Sequence, residues 1–239
     1  MVPVAVPCSI VAPLRASLDD MDDDGRTLFD WLKVRDEVDP RRVGIVGVSQ
    51  GGWVGPLVAA SRPEAAFLIG LTGGGMSPRA IEEFDYERKL SHGGVVGTEL
   101  ANALKAVATY LAYLAGDVPR AEIMGLLEAG KVQSWYAVLG LHRVLPDESF
   151  RAAWAWVPRM DPLPSIRSLR LPVLAIIGGL DREPAVEVNA WQAGLAKNAS
   201  PRRENPRVRA MFSPRATHVR RAPSTFRPSM RWPLGPRRS

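Results

Sequence analysis

The chain has 239 residues, 46% of them hydrophobic and 23% charged, with a formal net charge of +6. This is globular composition at the size of one domain, or of one domain with an insertion. The single cysteine, Cys8, excludes an internal disulfide; no apolar stretch is long enough to span a bilayer; the opening MVPVAVPCSI lacks the basic start of a signal peptide, so a cytoplasmic protein is expected.

The first segment, VPVAVPCSIVAPL, holds at most a short edge strand, because its prolines interrupt a sheet ladder. In the following SLDDMDDDGRTLFDWLKVRDEVDP, Leu18, Met21, Leu28, Phe29 and Leu32 recur at helical spacing. Ser17 with Asp20 predicts a capping box, and Asp19 to Asp24 put negative charge where the helix dipole favours it. RVGIVGVS reads as a strand buried on both faces, as in a parallel sheet, and QGGWVGPLVAASRP as the helix after it. AAFLIGLT, 65–72, is a second buried strand, followed by the loop GGGMSP.

Residues 81–160 differ. They carry helical patterns over 81–91, 98–115, 119–130, 132–143 and 148–157, and no strand. LPVLAIIGG, 171–179, returns to strand composition, AVEVNAWQAGLAKN is a helix, and RVRAMFS, 207–213, alternates as a last strand. From Ala199 onward eleven arginines accompany one acid, Glu204, among seven prolines. That segment carries about +10 and leaves the rest about −4, and it reads as a basic, disordered tail.

The order strand–helix–strand, helices, strand–helix–strand predicts an α/β fold: a mostly parallel sheet flanked by helices, with an inserted helical cap. Residues 1–80 and 161–218 form the expected core, 81–160 the cap, and 199–239 the tail that overlaps the core's end.

Within this frame, Gly47-Val48-Ser49-Gln50-Gly51 fits G-x-S-x-G between a buried strand and a helix. A bend that sharp strains the serine backbone, and side chains at Gly47 and Gly51 are expected to collide. The helix start leaves N–H groups free, so Gln50 N–H can face a developing oxyanion. A turn serine in a glycine-rich loop is the plainer alternative. A serine needs a base. His92 and His142 fall in the helical insertion, whereas His218 follows the last expected strand. Asp181, in GGLDREP, follows the strand 171–179, where ligand sites of open α/β sheets gather. A turn aspartate and an ordinary loop histidine remain the alternatives for these two.

EVDPRRVGIVGVSQGGWVGPLVAA, MDPLPSIRSLRLPVLAIIGGLD and the stretch from Asn205 to His218 resemble bacterial α/β-hydrolases of the serine aminopeptidase and acyl-CoA thioester hydrolase-like group, over residues 17 to 218. The resemblance implies a partial α/β-hydrolase fold with Ser49 as nucleophile, Asp181 as acid and His218 as base. Three departures stand out. That family has several strands before the serine strand, with the loop that supplies the other oxyanion N–H, and here forty residues precede Arg41. Arginine-rich sequence follows His218 where the family has glycine and a helix, and a proline comes early after Asp181. The expectation is a hydrolase chain truncated at its N-terminus and altered at its C-terminus.

Other motifs yield little. Asp20-x-Asp22-x-Asp24-Gly25 begins like a calcium loop, but its twelfth position is Trp31 rather than Glu. His92-Gly93-Gly94 comes after the serine, not before it as in a lipase oxyanion loop, and the glycines at 73–75 lack the lysine of a phosphate loop. Trp135, Tyr136 and Trp154 gather aromatic area that can line an acyl pocket or pack the cap core. The expected function is therefore a serine hydrolase acting on a small-molecule ester, thioester or peptide-like amide, with no cofactor, metal or membrane partner. Nucleic-acid binding by the arginine tail is not expected, since no recognition module accompanies it. A non-catalytic pseudo-hydrolase that keeps the serine bend is the competing class.

Overall fold

The computed structural model describes residues 16–178, 184–195 and 211–213. The expected opening strand and most of the basic tail lie outside these residues. Helix α1 (Leu18–Lys33) starts with the predicted capping box: Asp20 N–H donates to Ser17 Oγ, and Ser17 N–H donates to the Asp20 carboxylate at 2.8 Å. The acidic run is thus helical and is no calcium loop; within it Asp22 pairs with Arg26 at 2.7 Å. A 3-10 turn at Pro40–Arg42, capped by Asp39, delivers the chain into β1 (Ile45–Val48). Helix α2 (Gly51–Ser61) and β2 (Leu68–Leu71) follow.

Next come the expected helices: α3 (Pro78–His92), α4 (Gly97–Ala115), α5 (Arg120–Gly130), α6 (Ser134–Leu139), α7 (Leu141–Val144) and α8 (Glu148–Trp154). The pattern at 132–143 is two helices rather than one, because Gly140 adopts φ 64 and ends α6. A short α9 (Leu163–Ser168) returns the chain to β3 (Val173–Gly178), then α10 (Pro184–Leu195) and β4 (Met211–Ser213). Two apolar clusters result. One lies among the helices and is built on Tyr86, Leu111, Tyr113, Ile123 and Leu141; the other lies under the sheet, on Phe29, Leu68, Ile166, Ile177 and Trp191.

The described strands form one parallel sheet in the order β1-β2-β3-β4, with Gly47 level with Gly70 and Gly70 level with Ala175. The fold is α/β, a parallel sheet flanked by helices and interrupted after β2 by a helical run. Alternate residues point to opposite faces. One face is buried: Leu68, Val173, Ala175 and Ile177 are each at most 4% exposed, with α2 packed at Gly55 against Ile45 and Leu68, and Trp191 of α10 against Gly70. The other face is more open. Val46 and Val48 are each 57% exposed, and Ile69, Leu71, Leu174 and Ile176 are half-buried. The expectation that β1 is buried on both faces is therefore corrected: among the described residues β1 is an edge strand, and helices cover one of its faces.

Candidate active site

Parallel strands bring their carboxyl ends to one edge of the sheet, and there the backbone is strained twice. Ser49 follows β1 with φ 54 and Thr72 follows β2 with φ 51; these are the non-glycine residues with positive φ among those described. A left-handed conformation costs an L-residue about 1–2 kcal/mol and persists only where its surroundings enforce it. The enforcement at Ser49 is visible. Its N–H donates to the Leu71 carbonyl at 3.0 Å, and its own carbonyl accepts from Gly52 N–H at 2.8 Å. The residue is exposed.

The two glycines of the motif do different work. A Cβ on residue 47 would overlap the Gly51 carbonyl, whereas a Cβ on residue 51 meets nothing within 4 Å. The expectation that both positions collide is corrected for Gly51. The close contact instead involves Gly52, whose Cβ would lie 2.8 Å from the Gly73 carbonyl oxygen, and Gly74, whose Cβ would overlap the Gly52 carbonyl. Pro56, four residues on, has no N–H to offer that Gly52 carbonyl. The bend and the 73–75 loop are thus packed backbone against backbone.

Gln50 stands at the N-cap of α2, and its carbonyl accepts from Trp53 N–H at 3.1 Å. Its N–H belongs to the group that a helix start leaves without an intrahelical acceptor. The first turn of α2 carries no acidic residue, so the positive end of the helix dipole is left uncompensated beside Ser49. This arrangement favours negative charge developing next to the serine oxygen.

Asp181 and His218 lie outside the described residues. Asp181 is three residues before α10. The other two histidines are occupied elsewhere: His92 ends α3 with Nδ1 2.8 Å from the Arg88 carbonyl oxygen, and His142, in α7, stacks on Tyr136 at 4.3 Å between ring centroids. Of the aromatic candidates, Trp135 is 2% exposed and packs in the helical core, with its indole N–H on Gln133 at 2.6 Å. Tyr136 is half-buried on that core. Trp154 lines an apolar recess of about 320 Å³ with Tyr110, Val144, Pro146 and Phe150. Among the described residues there is no group of three or more His, Cys, Asp or Glu able to hold a metal, and no helix long and apolar enough to cross a membrane.

Three residues near the bend escaped the sequence reading. Trp53, one turn after Ser49, donates its indole N–H to the Met76 carbonyl at 2.8 Å and meets Trp156 edge-on at 5.8 Å, which ties α2 to the end of the helical run. Thr72 is strained like the serine. Glu187 of α10, 6% exposed, accepts from the N–H groups of Gly75 and Met76 at 2.8 and 3.2 Å. Nothing in the local sequence marks the partnership of Glu187 with a loop 112 positions away.

No protein-family model matches the chain, and no curated protein matches it. Among solved structures, Acetyl Xylan Esterase 1 from Thermoanaerobacterium sp. JW/SL YS485 is similar at a TM-score of 0.37 and 16% identity, over 87% of this chain and 51% of that one. The chain thus spans about half the length of that esterase. Likeness at this level fixes no activity for the chain.

Proposed function

We propose that the chain is a serine hydrolase, cleaving an ester, thioester or amide of a small molecule through an acyl-enzyme on Ser49. One observation carries the reading: Ser49 holds a left-handed backbone, φ 54, at the bend between β1 and α2, a strained conformation of the kind that gathers at reactive sites, here at the carboxyl edge of the sheet. In this reading His218 takes the hydroxyl proton as Ser49 Oγ attacks the carbonyl carbon. Asp181 orients the imidazole and stabilises its charged form. Gln50 N–H donates a hydrogen bond to the oxyanion, His218 returns the proton to the leaving group, and water then releases the acyl group with His218 again as base. Residues 81–160 serve as a cap over the serine. Steady-state and burst kinetics with p-nitrophenyl esters test the proposal: a burst of one equivalent is expected from the full chain and none from Ser49→Ala.

The second reading, a non-catalytic protein retaining the bend, is favoured by the outer side of β1. No described strand covers it, and a site short of one oxyanion donor acylates about 10²–10³-fold more slowly. A folded chain without a burst supports this second reading.

A further inference from the structure

We infer that Glu187 is a positioning residue for Ser49: its carboxylate fixes the 73–75 loop against which the strained bend is packed. The inference rests on the hydrolase reading of Ser49 and goes beyond it to a residue outside the motif and the expected triad.

The argument follows the contacts outward from the serine. Ser49 is tied to β2 by its N–H on Leu71, and its carbonyl is tied to Gly52. Gly52 in turn lies directly on Gly73 and Gly74, with no room for a Cβ at position 52 or 74. The loop can take this path because Thr72, Gly73 and Gly74 have φ 51, 106 and 94 in succession. Three such residues do not hold themselves, and two groups from α10 hold them. Glu187 Oε2 accepts from both Gly75 and Met76 N–H, and the Trp191 indole, fully buried, donates to the Gly73 carbonyl at 3.3 Å. Gly75 itself is wedged against Glu187 and Trp191, where a Cβ would stand 2.7–2.8 Å from their atoms.

Burying a carboxylate is expensive unless it is hydrogen-bonded, and two converging backbone N–H groups give it charge-assisted bonds. A plain loop could be held by apolar packing. A carboxylate on adjacent amides fixes direction as well as position, which a reacting hydroxyl needs. Glu187 lies in the first turn of the helix that follows the segment containing Asp181. One helix start therefore anchors the loop behind the nucleophile and also succeeds the segment of the expected acid.

The test is the second-order rate of Ser49 labelling by a fluorophosphonate, measured per folded molecule in the full chain, with thermal unfolding recorded alongside. Glu187→Leu is expected to slow labelling about tenfold or more, since sub-ångström misplacement of reacting groups is that costly. Glu187→Gln keeps an acceptor oxygen and is expected to restore the rate to within about threefold of wild type. A folded Glu187→Leu protein that labels at the wild-type rate overturns the inference even if its melting point falls, because the carboxylate then only stabilises. If Glu187→Leu does not fold, Trp191→Phe replaces it: slowing of about threefold or more is expected from loss of the bond to Gly73, and an unchanged rate overturns the inference. A folded wild type that takes up no probe overturns the hydrolase reading and the inference with it.

Discussion

Gly47 lies so close beneath the carbonyl of Gly51 that a Cβ at position 47 would overlap it, while Gly51 itself faces open space. The two glycines of the motif are thus unequal. Gly47→Ala is expected to destabilise the fold by about 2 kcal/mol or more, as overpacking against backbone does. Gly51→Ala, at the first position of α2, is expected to stay within about 1 kcal/mol of wild type and can gain, because alanine is the better helix former. Urea unfolding of the two variants checks this; equal effects contradict it.

Strain at Ser49 predicts opposite changes in stability and reactivity. Ser49→Gly relieves the left-handed conformation and is expected to be as stable as Ser49→Ala or more stable by up to about 1 kcal/mol, after the entropy of the added glycine is offset. Both variants lose any acylation. A Ser49→Gly protein clearly less stable than Ser49→Ala removes the evidence for strain.

Trp53 and Trp156 meet at 5.8 Å with ring planes at 66°, and this contact joins the serine's helix to the end of the helical run. A double-mutant cycle with Trp53→Leu and Trp156→Leu is expected to show a coupling of about 0.5–1.5 kcal/mol. The cycle separates the ring contact from the Trp53 hydrogen bond to Met76, which both Trp53→Leu steps lose equally. No coupling means that the two parts are not held together here.

Alkaline pH should loosen the helical cluster. Burial pushes the pKa of Tyr86 and Tyr110 up and so resists their ionisation, with the neighbouring Tyr110 and Glu82 adding to the effect on Tyr86 and Glu82 to that on Tyr110. Their rings pack edge-on at 6.2 Å. Above about pH 10, the ordinary tyrosine value, the unfolded chain loses protons that the fold retains. Stability present below that pH therefore falls as pH rises, at up to about 1.4 kcal/mol per pH unit for each tyrosine. Denaturant unfolding between neutral pH and pH 11 measures the slope. Tyr86→Phe with Tyr110→Phe is expected to flatten it, and an unchanged slope contradicts the assignment.

Local signals in the sequence carried far. The Ser17–Asp20 capping box, the strand–serine–helix order and most helix positions follow from spacing and capping alone. The misses have physical causes. A run such as IVGV is apolar on both faces whichever face is covered, so its composition could not show that Val46 and Val48 are exposed. Gly140 breaks 132–143 through its backbone angle, which a helical period does not encode. The short α9 carries a proline in its own first turn and offers too few residues for a pattern. Glu187 reads in sequence as one more acid on a helix; only the fold brings it to Gly75. Asp181 and His218 lie outside the described residues, so the triad stands as proposed from motif order and resemblance.

The central claim is that Ser49 is a nucleophile. The most direct measurement is peptide mass spectrometry of the full, folded chain after treatment with a fluorophosphonate. A covalent adduct on the peptide containing Ser49, absent from Ser49→Ala and from heat-unfolded protein, is the predicted result. Folded protein that stays unmodified at Ser49, or that labels equally well after unfolding, contradicts the account.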